Sequence, residues 1–225
     1  MLHVPRRPQA GGGDPFLEVE AYDSPEGRAF LDGRDASFLA RVAELGLGKS
    51  KLLFLGVGTG RLMLKVIASL KGSEGTGIDM CGPVLPEGLD KARGLGLVGR
   101  VWIVEGDACR LSLPDHCFDA VLCDDLLHHV SDPACMLAEI CRVLRPGGAV
   151  LIRDGLRPLR RPWSWFAPAG PAQVPDVLRA ARAASLQAAY TLGEIRRWAV
   201  GSGLSGVRVW AEGDCGLISR PYKEA

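Results

Sequence analysis

The stretch "KLLFLGVGTGRLMLKV", residues 51–66, decides the fold. A short apolar run, Leu52 to Leu55, meets glycines at 56, 58 and 60, and a helical pattern follows. Such a run reads as a strand buried on both faces. Glycines just after it let the backbone turn sharply and approach a ligand closely, while the next helix aims its free N–H groups at that ligand. The turn alone is a weak signal, and a purely structural turn satisfies it equally. The dinucleotide fingerprint G-x-G-x-x-G places its third glycine one residue later than Gly60, so a nicotinamide cofactor fits imperfectly.

The discriminating residue is an acid at the end of the following strand. "GTGIDM", residues 75–80, supplies Asp79 about 20 residues beyond the glycines, where a carboxylate reaches the hydroxyls of a ribose. Asp79 as N-cap of the next helix is the rival reading, and it makes no demand on the upstream turn.

Outward from this point the chain alternates strand-like and helical runs. "KLLFLG", "GTGID", "VWIVEG", "FDAVLCD" and "GAVLIRD" are separated by helical patterns over 60–71, 85–95 and 131–144. Parallel strands with crossover helices give an α/β fold: a doubly wound, Rossmann-like, mostly parallel sheet with helices on both faces. "SPEGRAFLDGRDASFLARVAEL" (24–45) opens on a Ser N-cap followed by Pro and Glu, predicting one long or two short helices before the sheet. "TLGEIRRWAVGSGL" (191–204) reads as a capped helix, and "SGVRVWAEGDCGLISR" (205–220) as an antiparallel hairpin about a Gly-Asp turn that closes the sheet.

With 225 residues, the chain is expected to form a single domain over 16–225 behind a flexible N-terminus, residues 1–15. Residues 155–189 hold five prolines with Trp163, Trp165 and Phe166, and read as an insertion covering a substrate. Arg157, Arg160 and Arg161 in it suit a carboxylate or phosphate; the competing reading is a solvated loop whose aromatics pack on the domain. A net charge of +1 gives no general attraction to nucleic acid or an anionic membrane. No apolar window has membrane-spanning length, and no secretory h-region follows the N-terminal arginines, which predicts a cytoplasmic protein. Seven cysteines without a C-x-x-C pair predict reduced thiols, no disulfide framework and no metal site.

At these motifs the chain resembles the class I S-adenosylmethionine-dependent methyltransferases, especially the small-molecule branch similar to the ubiquinone/menaquinone-biosynthesis type. The resemblance rests on "LLFLGVGTG", "GIDMCGPVLPEGLDKAR", "VEGDACRLSLPDHCFDAVLCDDLLHHV" and "DPACMLAEICRVLRPGGAVLIRD" in order over residues 50–155, and more loosely on "AAYTLGEIRRWAVGSGLSGVRV". It implies S-adenosylmethionine as cofactor, with S-adenosylhomocysteine as product. Gly56, Val57, Gly58, Thr59 and Gly60 would line its methionine and ribose side. Asp79 would hold the ribose, Met80 would pack on the adenine, and Gly106, Asp107 and Ala108 would receive the base. Cys123 and Asp124 would face the methionine end, "LHHV" the methyl group, and "LRPGG" would form the turn into the fifth strand. Tyr22 would join the lid. Family members commonly carry an acid where this chain has Phe54; Asp124 or Asp125 would compensate, and Phe54 itself reads as core packing.

Methyl transfer from a sulfonium is an in-line displacement that needs alignment and exclusion of water, and a base only where the acceptor must lose a proton. His128 and Asp125 are the candidate catalytic residues, with Asp124 and His129 beside them. Each has a structural rival: a helix-start histidine bonded to backbone, or an acid capping a helix N-terminus. The expected activity is methylation of a small molecule, with no nucleic-acid or membrane partner. A cofactor-binding scaffold without turnover is the alternative. Aminopropyl transfer is disfavoured by the arginines of 155–189, and nucleic-acid methylation by "CDDLL" standing where an N/D-P-P-Y/F tetrapeptide is needed.

Overall fold

A computed structural model describes residues 6–7, 21–22, 24–157 and 176–222. The aromatics Trp163, Trp165 and Phe166, with Arg160, Arg161 and most of residues 1–15, lie outside the described residues. Helix α1, Pro25–Ala43, is a single long helix whose N-cap Ser24 accepts the Gly27 N–H at 3.0 Å. Then follow β1 (Lys51–Leu55), α2 (Arg61–Ser69), β2 (Glu74–Asp79), α3 (Leu85–Gly94), β3 (Val101–Glu105), β4 (Phe118–Asp124), α4 (Pro133–Val143) and β5 (Leu144–Gly155). Helices α5 (Asp176–Ala188) and α6 (Leu192–Gly201) and strands β6 (Arg208–Glu212) and β7 (Cys215–Arg220) complete the described chain.

The seven strands form one sheet in the order β3-β2-β1-β4-β5-β7-β6. All pairings from β3 to β5 are parallel, and β7 pairs antiparallel with both β5 and β6. The expected hairpin therefore forms, and its second strand is the one inserted beside β5. Strand order reverses between β1 and β4, and in a doubly wound sheet the crevice at that switch, beyond the carboxyl ends of the strands, is where ligands bind.

Each face of the sheet carries its own core. One joins Leu53, Val121 and Ile152 to Met136 and Ile140 of α4 and Ile195 of α6; the other joins Leu52, Phe54 and Leu122 to Phe38, Leu64, Ile67 and Leu85 of α1 to α3. The glycines of β2 let α2 close onto it: a Cβ on Gly77 would stand 2.8 Å from Val57 Cγ1 and 2.9 Å from Met63 Sδ. Helix α5, from the described part of 155–189, is regular where the prolines suggested an irregular segment, and it packs on the 3-10 turn Leu127–His129. No described helix is long and apolar enough to cross a membrane.

Phe54 is 5% exposed and belongs to the core between the sheet and α1 to α3. Phe54→Asp therefore exchanges a packed ring for a buried carboxylate with no partner, and should cost about 4 kcal/mol or more, against about 1 kcal/mol for Phe54→Leu. Urea unfolding midpoints of the two variants check this.

Candidate active site

The glycine turn is held by its acid. Gly56, Gly58 and Gly60 have φ of 71°, 50° and 72°, the left-handed region that other residues enter only with strain. A Cβ on Gly56 would meet Leu126 Cβ at 2.8 Å, whereas one on Gly58 would meet nothing within 4 Å, so the turn opens onto free space at Gly58. The Asp79 carboxylate accepts the Gly58 N–H at 2.7 Å through one oxygen and the Cys81 N–H at 2.9 Å through the other. Asp79 is not a helix cap: the N-cap of the short helix Gly82–Val84 is Cys81. Each oxygen retains a second lone pair for a ligand hydroxyl.

The other residues expected at the cofactor stand on the turns that follow β2 and β3. Met80 is 72% exposed beside Asp79. Gly106 donates its N–H to the Asp79 carbonyl at 2.9 Å, which sets the end of β3 against the end of β2. Asp107 accepts the Cys109 N–H at 2.8 Å and remains exposed, while Ala108 is buried beneath it. Val57 and Thr59 are partly exposed in the glycine turn.

At the end of β4 the structure departs from expectation. The Cys123 side chain lies in the hydrophobic core, and burial pushes its thiol well above the usual range, so only its backbone can face the crevice. Asp124 is clamped by Arg153, Oδ1 to Nε at 2.6 Å and Oδ2 to Nη2 at 2.7 Å. Burial raises the Asp124 carboxyl, with the guanidinium acting against it. Arg153 also donates to the Arg34 carbonyl at 2.8 Å, and its guanidinium carbon lies 5.0 Å from the centre of the Phe38 ring, so this pair fastens α1 to the sheet. Asp125 has φ 54° and is paired with Arg34. Both acids that would have replaced the carboxylate missing at Phe54 are thus occupied by arginines, and neither caps a helix: the turn Leu127–His129 has Leu126 at its N-cap.

His128 is the buried exception. Its backbone N–H donates to Asp154 Oδ2 at 3.2 Å, and its Nδ1 lies 2.9 Å from Asp154 Oδ1. With Nδ1–H donating to a carboxylate, the imidazole is held in the tautomer whose Nε2 carries a lone pair. That Nε2 is buried with no partner. Burial pulls the His128 pKa down, but the charge and hydrogen bond of Asp154 outweigh it, leaving it above the ordinary 6.5. His129, its ring 4.1 Å away, is pushed down to about 4 by burial and by His128.

Asp154, Tyr190 and Arg6 escaped the reading of the sequence. Asp154 offered one signal, an acid at the carboxyl end of an apolar strand, where sites of this fold gather. Arg6 donates to the carbonyls of His128 (2.9 Å) and Ala188 (2.7 Å) and lies 4.1 Å over the Tyr190 ring, whose hydroxyl donates to the Val130 carbonyl at 2.7 Å. Asp125, His128 and Asp154 bring one ligand-type atom each within 4.8 Å of one another. Their geometry is accounted for by the Arg34 pair and the His128 N–H donors.

The sequence profile of the family described as "Methyltransferase domain" matches residues 53–152. A ubiquinone/menaquinone biosynthesis C-methyltransferase UbiE of Francisella philomiragia is 36% identical over 121 residues, 52% of this chain and 48% of that protein. The chain spans about half the length of the curated relatives it matches. Among solved structures, a SAM-dependent methyltransferase from Aquifex aeolicus superposes with a TM-score of 0.66 at 21% identity, over 92% of this chain and 98% of that one. The [4+2]-cyclase SpnF superposes with a TM-score of 0.59 at 26% identity, over 78% and 57% of the two chains.

Two measurements check this geometry. Asp154→Asn removes the charge that outweighs burial, so the His128 imidazole should titrate below 6.5, followed by its NMR ring-proton shift. Asp79→Ala leaves two turn N–H groups without their acceptor, and should cost about 2 kcal/mol and speed amide exchange at Gly58.

Proposed function

From a chain whose residues 53–152 belong to the methyltransferase-domain family, we propose an S-adenosylmethionine-dependent methyltransferase that acts on a small molecule. The observation that carries this reading is the Asp79 carboxylate bonded to Gly58 N–H at the mouth of an open glycine turn, on the switch side of the sheet. The donor set suits a charged nucleoside: open space over Gly58, a carboxylate with spare lone pairs, an exposed Met80 for the base, and Asp107 with the Ala108 N–H for its edge. When bound, the cofactor supplies an electrophilic methyl group on a sulfonium.

The residues of the chain then align, shield and accept a proton. Gly56, Val57, Gly58, Thr59 and Gly60 seat the amino-acid end against the helix α2 N-terminus. Asp79 orients the sugar, and Gly106, Asp107 and Ala108 hold the adenine. Where the accepting atom carries a proton, His128 Nε2 takes it, and Asp154 stabilises the imidazolium that forms. Asp125, held by Arg34, positions the β4 turn instead of acting as base, as does Asp124 through Arg153. A likeness to a [4+2]-cyclase shows that this fold also serves other chemistry, so a test must read methyl transfer itself.

Calorimetric titration with S-adenosylmethionine and S-adenosylhomocysteine should show saturable binding that Asp79→Ala weakens at least about tenfold, the loss of a charge-assisted hydrogen bond. Absence of binding to the unaltered protein would sink the reading. Methyl transfer to an O–H or N–H acceptor requires neutral His128, so kcat should fall as pH drops through a value above 6.5 and level off at higher pH. His128→Asn should lower kcat about 100-fold and leave cofactor affinity unchanged.

A further inference from the structure

Among the described residues, four buried side-chain atoms have no hydrogen-bond partner: Asp35 Oδ1, His128 Nε2, and Nε and Nη1 of Arg157. Three of the four belong to residues grouped about Tyr190. Arg157 follows β5 three positions beyond Asp154, the partner of His128, and its backbone N–H donates to the Tyr190 carbonyl at 3.0 Å. Tyr190 in turn donates to Val130, two residues past His128, and carries Arg6 over its ring. Tyr190 thus borders both Arg157 and the turn that carries His128.

Arg157 is 3% exposed, and only Nη2 is engaged, 3.2 and 3.1 Å from the two oxygens of Glu194. Glu194 does not depend on it, because the same carboxylate accepts from the Thr191 N–H and hydroxyl in the capping box of α6. The N–H groups on Nε and Nη1 are left buried without an acceptor, a costly state for a charged group, and a packing role would be filled better by an apolar side chain. Arg6, beside Tyr190, adds a second positive charge at this place.

We infer that Arg157 binds an oxyanion of the methyl acceptor, and that the acceptor is a hydroxy acid, its carboxylate on Arg157 and its hydroxyl on His128 Nε2. The inference rests on the methyltransferase reading and narrows it to an acidic substrate class. In the reaction the acceptor O–H bond breaks as the O–CH3 bond forms: its proton passes to His128 Nε2, and the sulfonium bond's electron pair stays on sulfur. Arg157 is a binding residue here, since it touches the substrate away from the reacting atoms.

The test uses the full 225-residue chain saturated with S-adenosylhomocysteine, titrated with 4-hydroxybenzoate and 4-hydroxycinnamate and with the methyl ester of each. At least one carboxylate should bind tenfold or more tightly than its ester. Arg157→Met should abolish that preference, and Arg157→Lys should reduce it. Without a probe, Arg157→Met should melt at or above the temperature of the unaltered protein, because it relieves the buried N–H groups. Equal binding of acids and esters, no binding of either, or a preference that survives in Arg157→Met would overturn the inference. So would a fall of several degrees in the Arg157→Met melting temperature, which would make Arg157 a structural tie. Should Arg157→Met fail to fold, Arg157→Lys decides the point by its loss or retention of the preference. Failure of S-adenosylhomocysteine itself to bind would remove the underlying methyltransferase reading; its binding without a carboxylate preference removes this inference alone.

Discussion

A single carboxylate, Asp79, holds the ends of two strands to one another by accepting the N–H groups of Gly58 and Cys81. Charge-assisted bonds of this kind are short and directional, and here they stabilise a turn whose three glycines are in the left-handed region. Gly106, tied to the carbonyl of the same residue, brings the third strand end to the same edge. The turns that follow β1, β2 and β3 are therefore all referred to one residue. Each of its oxygens takes one of these two bonds and keeps a further acceptor lone pair.

The two faces of the sheet reach the crevice by different physics. On the side of α1, charges are matched: Arg153 takes Asp124, Arg34 takes Asp125, and Asp35, 2% exposed, takes Lys65 at 2.6 Å together with Arg61. These bonds bring α1 down onto the sheet, so that Phe38 of α1 shares a core with Phe54 of β1. On the other side, beneath α5 and α6, the polar groups are only partly matched. His128 and Arg157 each have one side engaged by a carboxylate and another left without a partner. Buried groups in this condition are rare in folded proteins because they cost free energy, and a functional site is where such a cost is tolerated.

How far the chain could be read in advance follows from the range of each interaction. Ser24 and Thr191 as helix caps, the glycine turn and the Gly-Asp hairpin were legible because each depends on residues two to four positions apart. The doubly wound sheet was legible too, since apolar runs between helical segments leave few other ways to bury themselves. The pairing of acids at the end of β4 was not. Asp124 and Arg153 are 29 residues apart and meet because β4 and β5 align them as direct neighbours in the sheet.

Local pattern was sufficient for the strands and the turn that Asp79 closes, and the motifs between them carried the resemblance to the methyltransferase domain whose profile matches residues 53–152. The identity of the group on His128 was a matter of packing. Asp154 reaches it across 26 residues, and Arg6 reaches its carbonyl across 122, separations at which no spacing rule operates. Which acids were free, which were held by arginines, and which nitrogen kept its lone pair depended on long-range contacts that exist only once both cores have closed.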